Sequence, residues 1–253
     1  MRVPRVFIGG ARVGPRQVAG ADVFQHLVVV LRRGAGDRVI VYDGDGASFD
    51  GAIAEVDRER RRVLIDITAA IQCASAPVVP LTVAVGVPKG DALEVALRIA
   101  SEAGLAVLQP LITSRTVARV RPDSAKFTRW QRIATESSKQ CGRAVPLTIR
   151  APLHAEEFFA SSLPAGRGWI ALPGAPLPED SGLLEAFAAR AVDGSELFVA
   201  IGPEGGFTPA EVDRALAAGF SPVGFPTPTL RTPTAVAYVA ALGSLTPAQG
   251  DFL

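Results

Sequence analysis

Apolar and polar positions alternate along the first third of the chain, and the period then lengthens. Residues 5–8, 38–42, 48–56 and 62–68 read as short strands. Residues 62–68 place Val63, Ile65 and Ile67 on one face and Leu64, Asp66 and Thr68 on the other, the pattern of a strand with one buried side. Residues 22–33 (DVFQHLVVVLRR) read as a short helix or buried segment ending in two arginines. Asp43-Gly44-Asp45-Gly46 is a strong turn signal. Together these predict a small β-barrel over residues 1–72.

Residues 73–80 (CASAPVVP) have the composition of a linker. Beyond them, residues 81–87, 105–111, 169–172, 197–201 and 222–225 read as strands, and 91–103, 127–141, 183–190, 209–218 and 234–245 as helices. Gly104 stands where a helix C-cap glycine belongs. Strands alternating with helices predict an α/β domain over 81–253 with a mostly parallel sheet.

Composition narrows the function classes. Lys+Arg is 26 and Asp+Glu is 25 in 253 residues, so no global basic excess announces a nucleic-acid partner. The only lysines are Lys89, Lys126 and Lys139. The arginine excess suits phosphate binding, but a GC-rich genome gives the same bias and is the simpler reading. Cys73 and Cys141 form no CxxC arrangement, which fits a reduced compartment. The start MRVPRVFIGG lacks a signal-peptide pattern, and the apolar runs are too short to span a membrane. A soluble cytoplasmic protein with no metal and no membrane association is expected.

Two loops carry the chemistry. The first reads Ile201-Gly202-Pro203-Glu204-Gly205-Gly206-Phe207-Thr208, and the second Leu230-Arg231-Thr232-Pro233-Thr234-Ala235. Each follows a strand-like run and opens a helix-like run, the position where open α/β sheets bind ligands. In the first, the glycines allow close approach to the main chain. Thr208-Pro209-Ala210-Glu211 reads as a capping box with Pro in the first turn. Free N–H groups beside a helix N-terminus suit an anion, a carboxylate or a nucleobase edge; a tight turn without a ligand reads equally well. The pattern is neither GxGxxG nor GxxxxGK[ST], so it supports no dinucleotide or P-loop site. In the second loop, Arg231 is a lone charge among apolar and hydroxyl residues, suited to a phosphate or carboxylate, or to a structural ion pair.

GPEGGFT followed by an apolar strand, LRTPTA and a small-residue helix resembles the SPOUT methyltransferases, and more narrowly the 16S ribosomal RNA methyltransferases that modify nitrogen 3 of uridine. The resemblance extends in order along nearly the whole chain. Arg5-Val6-Phe7, His26-Leu27 through Arg32, Gly36-Asp37 and Asp43-Gly44 resemble that family's PUA-like barrel. Lys89-Gly90-Asp91, Gln109-Pro110-Leu111 with Ser114-Arg115, Lys139-Gln140-Cys141-Gly142-Arg143 and Val145-Pro146 match its later segments.

The resemblance implies an α/β trefoil-knot domain after the barrel, a homodimer, and S-adenosyl-L-methionine held by three loops. Those loops carry Leu172, Pro173 and Gly174; Ile201, Gly202, Pro203, Glu204, Gly205 and Gly206; and Phe225, Leu230, Thr232, Thr234 and Ala235. It implies 16S rRNA in the small ribosomal subunit as substrate. Arg231 is the candidate catalytic residue, stabilising charge on the uracil or fixing a phosphate. Glu204 is the nearest acidic group, as a base or as a tie for its own loop. Arg5, Arg32, Arg33, Lys89 and Arg143 are the expected RNA contacts. The chain departs from the family at Pro226, Pro228 and Pro233, where LRTPTA replaces the usual LRTETA. The prolines remove backbone donors from the third loop, which motivates two alternatives: a knotted RNA-binding or assembly protein without catalysis, or a SPOUT enzyme with another RNA target.

Overall fold

The computed structural model describes residues 3–44, 46–71, 79–117, 120–141, 143, 145–160, 167–193, 196–227 and 229–245. The chain divides into two compact units, Met1–Ala76 with Ser138–Pro146, and Pro77–Ser137 with Leu147–Leu253. Cys73, Asp45 and Pro228 lie outside the described residues.

In the first unit β1 (Arg5–Phe7), β2 (Gln17–Ala19), β3 (Arg38–Tyr42), β4 (Ser48–Asp57) and β5 (Arg62–Ile71) form one sheet in the order β1-β3-β4-β5-β2. β1 runs parallel to β3, and the other pairings are antiparallel. Val39, Val41, Val63, Ile65 and Ile67 turn to one face and are buried there. Residues 22–33 contribute α1 (Ala21–Phe24) and a π-helical stretch, Gln25–Val30. Val23, Phe24, Leu27 and Val28 close the core, leaving Val29 and Val30 exposed. β2 was not expected, because three residues are too few to show a period.

The second unit runs β6 (Val79–Gly86), α2 (Ala92–Glu102), β7 (Leu105–Ile112), α3 (Ala125–Cys141), β8 (Thr148–Ile149), β9 (Leu153–His154), α4 (Ala155–Ala160), β10 (Gly168–Ala171), α5 (Leu183–Asp193), β11 (Leu197–Ile201), α6 (Pro209–Ala217), β12 (Phe220–Val223) and α7 (Thr232–Leu245). The end of α3 and the residues after it belong to the first unit, although the pattern grouped them with the second. The sheet order is β12-β10-β11-β6-β7-β8, with β9 also on β7, and every pairing is parallel.

The sheet is buried on both faces, which is why its strands read as continuous apolar runs. Leu197, Val199 and Ile201 of β11 pack with residues of α2, α3, α5 and α7. Phe198 and Ala200 face Phe158 and Phe159 of α4 and Ala215 of α6. On that second face Phe159 meets Phe207 and Phe220 edge-on, with ring centroids 5.7 and 5.2 Å apart, pairs that each add about 0.5–1.5 kcal/mol beyond burial.

Several expected boundaries move by one to three residues: β6 begins at Val79, inside the segment expected as a linker, because Val79 already pairs with Leu105 of β7. β12 ends at Val223, so Phe225 lies in the following loop. Pro222 fits because β12 is an edge strand, where a missing N–H need not face a neighbour. α7 starts at Thr232 rather than Thr234, with Pro233 in its first turn. Among the described residues no helix is long and apolar enough to cross a membrane.

Candidate functional site

β12, β10 and β11 are neighbours in the sheet and parallel, so the loops that follow them leave from one edge. These are the three loops singled out from the sequence.

The β11 loop is fixed by its own chain. The Gly206 N–H donates to the Pro203 carbonyl at 2.7 Å, closing a tight turn. Gly206 has φ +68°, which a side chain would strain. Gly202 is needed for a different reason: a Cβ there would stand 2.9 Å from the Gly206 Cα. Gly86, at the end of β6, has the same role, since a Cβ there would collide with Pro203. The Lys89 N–H donates to the Glu204 carboxylate at 3.3 and 3.4 Å, the arrangement expected of a residue that ties the loop. Among the described residues, the N–H groups of Glu204 and Gly205 meet no acceptor.

Phe207 then enters the aromatic core, and α6 begins in the predicted capping box. Thr208 Oγ1 accepts from the Glu211 N–H at 3.3 Å, and the Glu211 carboxylate accepts from the Thr208 N–H at 2.8 Å. The other Glu211 oxygen accepts from the Ser114 N–H at 2.8 Å, joining the β7 loop to the box. Burial pushes the Glu211 pKa up, but the hydrogen bonds from Thr208 and Ser114 outweigh it and hold the carboxyl below its ordinary value.

The β10 and β12 loops are joined to each other. The Leu172 N–H donates to the Val223 carbonyl at 2.9 Å, and the Gly224 N–H to the Pro176 carbonyl at 2.6 Å. A Cβ on Gly224 would collide with the Ala175 carbonyl. Pro173 and Gly174 are exposed at the tip of the β10 loop. Phe225 and Leu230 are half-buried against the core, and Phe225 meets Tyr238 of α7 edge-on at 5.1 Å. Thr232 and Ala235 are buried, while Thr234 is exposed. The Arg231 carbonyl accepts from the Ala235 N–H at 2.9 Å, so Arg231 caps α7 through its backbone. Its side chain is exposed and makes no ion pair among the described residues. The structural ion pair considered for it from the sequence is not formed there.

The expected RNA contacts are in different environments. Lys89 is an exposed residue of the second unit. Arg5, Arg32, Arg33 and Arg143 belong to the first. Arg32 is exposed at φ +53°. Arg33 is drawn to Asp37 at 3.5 Å. Arg5 is half-buried, and its Nε and Nη2 have no hydrogen-bond partner among the described residues. Arg143 is 4% exposed and its pKa is lowered by burial, so its place is inside the unit rather than on its surface. Sequence reasoning did not single out Arg115 or Tyr238 as site residues. Arg115 reaches the Gly205 carbonyl, and nothing in the local pattern announces a partner so far along the chain.

Among the described residues there is no cluster of His, Cys, Asp and Glu able to hold a metal.

A parallel sheet with loops gathered at its carboxyl edge defines a class, and residues 74–244 match the family model of the RNA methyltransferase domain. A ribosomal RNA small subunit methyltransferase E from Synechocystis is 31% identical over 229 residues, covering 88% of this chain and 73% of its own. The protein of that name from Bacillus subtilis is 28% identical over 225 residues, covering 87% and 86%. The chain belongs to the ribosomal RNA small subunit methyltransferase E family. The same fold occurs in the family's Neisseria gonorrhoeae protein, solved bound to S-adenosyl methionine, with TM-score 0.81, 23% identity, and 97% and 98% of the two chains covered.

Proposed function

We propose that this protein methylates nitrogen 3 of a uridine in 16S rRNA of the small ribosomal subunit, using S-adenosyl-L-methionine. The observation that carries the reading is the meeting of three loops at the ends of three adjacent parallel strands, with Arg231 making no ion pair among the described residues. The residues suit that cofactor. The Glu204 and Gly205 N–H groups offer donors to a carboxylate. Leu172, Phe225 and Leu230 offer half-buried apolar surface to an aromatic base. Pro226 lacks an N–H, but the carbonyls of that loop remain as acceptors.

When bound, the cofactor supplies an electrophilic methyl group on a sulfonium. The uracil N3–H proton would pass to solvent as the N3–CH3 bond forms and the S–CH3 bond of the sulfonium breaks, releasing the neutral thioether, so negative charge would develop on the base. Arg231 is assigned to stabilise that charge with its guanidinium N–H groups. The loops contribute by holding the reacting atoms in line.

The reading extends to the architecture. The first unit, residues 1–76 with 138–146, serves as a PUA-like barrel that meets RNA, and the second unit is the catalytic domain. A trefoil knot is supported by the path of the chain: from edge strand β12 it passes the β10 loop to place α7 against α2 and β6. A homodimer is supported by α7, which carries no charge from Thr232 to Leu245 and turns Ala237, Ala241 and Leu242 away from full burial. The cytoplasm is where such a substrate is found.

The test is methyl transfer from labelled cofactor to small subunits that lack the mark, followed by nucleoside identification. Label in 3-methyluridine is the expected result. Label in another nucleoside overturns the assignment of the base. Cofactor binding without transfer to these subunits points to another RNA, and no cofactor binding overturns catalysis.

A further inference from the structure

The geometry points to Arg115 as a positioning residue that sets the Gly202–Gly206 loop for the methyl donor; this rests on the methyl-transfer reading. The loop contains two consecutive glycines at its exposed turn. A Gly-Gly peptide is the least restrained unit a chain can offer, and this planar peptide is held from both sides: its Gly206 N–H donates to the Pro203 carbonyl, and its Gly205 carbonyl accepts from Arg115 Nη1. The Arg115 stem also lies over Gly205, with Cδ 3.1 Å and Cβ 3.5 Å from where a Gly205 Cβ would stand.

Arg115 is itself held in a rigid turn. Its N–H donates to Thr113 Oγ1 at 3.3 Å, the Thr113 N–H to Thr116 Oγ1 at 3.0 Å, and the Thr116 N–H to the Thr113 carbonyl at 3.0 Å. Ser114 is anchored to Glu211. The β7 loop therefore grips the β11 loop at two points, one before Phe207 and one after it. The Arg115 point acts on the Gly205–Gly206 peptide, which adjoins the Glu204 and Gly205 N–H groups that meet no acceptor among the described residues. Both Arg115 and Gly205 are exposed, so the bond adds little to folding stability, since an exposed carbonyl finds water when it is lost. Its effect falls on the conformation of the loop.

The test is a double-mutant cycle on the full chain with Arg115→Ala and Gly205→Ala, read by calorimetric binding of S-adenosylmethionine and by steady-state kinetics. The expected result for Arg115→Ala is about a tenfold rise in cofactor Kd and in the cofactor KM, the size of one charge-assisted hydrogen bond, with kcat and thermal midpoint nearly unchanged. Arg115→Lys recovers part of the loss. Gly205→Ala presses a Cβ against the arginine stem at 3.1 Å, so its loss is smaller than that of Arg115→Ala and disappears in the Arg115→Ala background, where the double variant is no worse than Arg115→Ala alone. Unchanged cofactor affinity in Arg115→Ala, or additive losses in the double variant, overturns the proposal. So does a rise confined to the KM for RNA with a shallower salt dependence, which makes Arg115 a phosphate contact. Absence of cofactor binding by the unaltered protein overturns the methyl-transfer reading instead.

Discussion

Two strand-to-helix connections of the second unit do parallel jobs by opposite means. Between β11 and α6 the chain fastens itself with a closed turn, a capping box, an aromatic anchor at Phe207 and tethers from Lys89 and Ser114. Between β12 and α7 it uses proline stiffness and apolar contact, with a backbone cap at Arg231 and the Phe225–Tyr238 pair. The first connection is specified by hydrogen bonds within the protein. The second leaves its one charged side chain, Arg231, without an ion-pair partner among the described residues.

The largest effect expected from this contrast is on the first connection. Gly202→Val places a side chain against the backbone of Gly206 and Phe207, 2.9 to 3.2 Å from atoms that cannot rotate away. A loss of about 3 kcal/mol or more in stability is expected, the range of overpacking against fixed backbone, together with loss of cofactor binding. Urea denaturation and calorimetry measure both. A fully stable variant would show that the turn is looser than its hydrogen bonds imply.

Glu211→Ala comes next. It removes the acceptor for Thr208 and Ser114 and is expected to cost about 2–3 kcal/mol, combining a lost cap with hydrogen bonds to a buried charge. The acid side gives a second readout. Because the folded carboxyl titrates below its unfolded value, its stabilisation is complete above the ordinary carboxylate range and is lost as pH falls through the folded pKa. The stability gap between the unaltered protein and Glu211→Gln should therefore narrow with acidification. A gap independent of pH from neutral to acid conditions would contradict the charged cap.

Arg231→Ala tests the second connection and should separate function from folding. An exposed side chain without an ion pair leaves stability within about 0.5 kcal/mol. Transfer to RNA should fall about a hundredfold or more if its guanidinium meets charge formed in the transition state. Equal losses in stability and rate would return Arg231 to a structural role.

What the sequence made legible follows the same division. The capping box, the positive-φ Gly104 just after the Ala103 C-cap of α2, and the edges of β11 are legible because each depends on neighbours within a few residues. β2, β8 and β9 are not, being two or three residues long and defined by distant partners. The glycines of the first loop were readable as a group but not in their separate reasons. Gly206 needs its positive φ, Gly202 lacks room, and Gly205 lies under Arg115. Arg143 was read as a surface contact because sequence cannot show that the chain returns to the first unit and buries it.

The smallest expected effect concerns Pro233, where the comparison is most finely balanced. Thr232 opens α7, so Pro233 occupies the first turn, whose N–H groups have no acceptor within the helix. Its missing donor therefore costs nothing, while its fixed φ restricts the unfolded chain by about 0.4–1 kcal/mol. Glutamate at that position gives up this gain but places negative charge at a helix N-terminus, worth about 0.3–1 kcal/mol. The two nearly cancel, so Pro233→Glu should alter stability by less than about 0.5 kcal/mol and leave cofactor affinity unchanged. A larger gain in stability, measured by thermal unfolding at low salt, would mean that the prolines strain the second connection. In that case stiffness would not be doing there what hydrogen bonds do in the first.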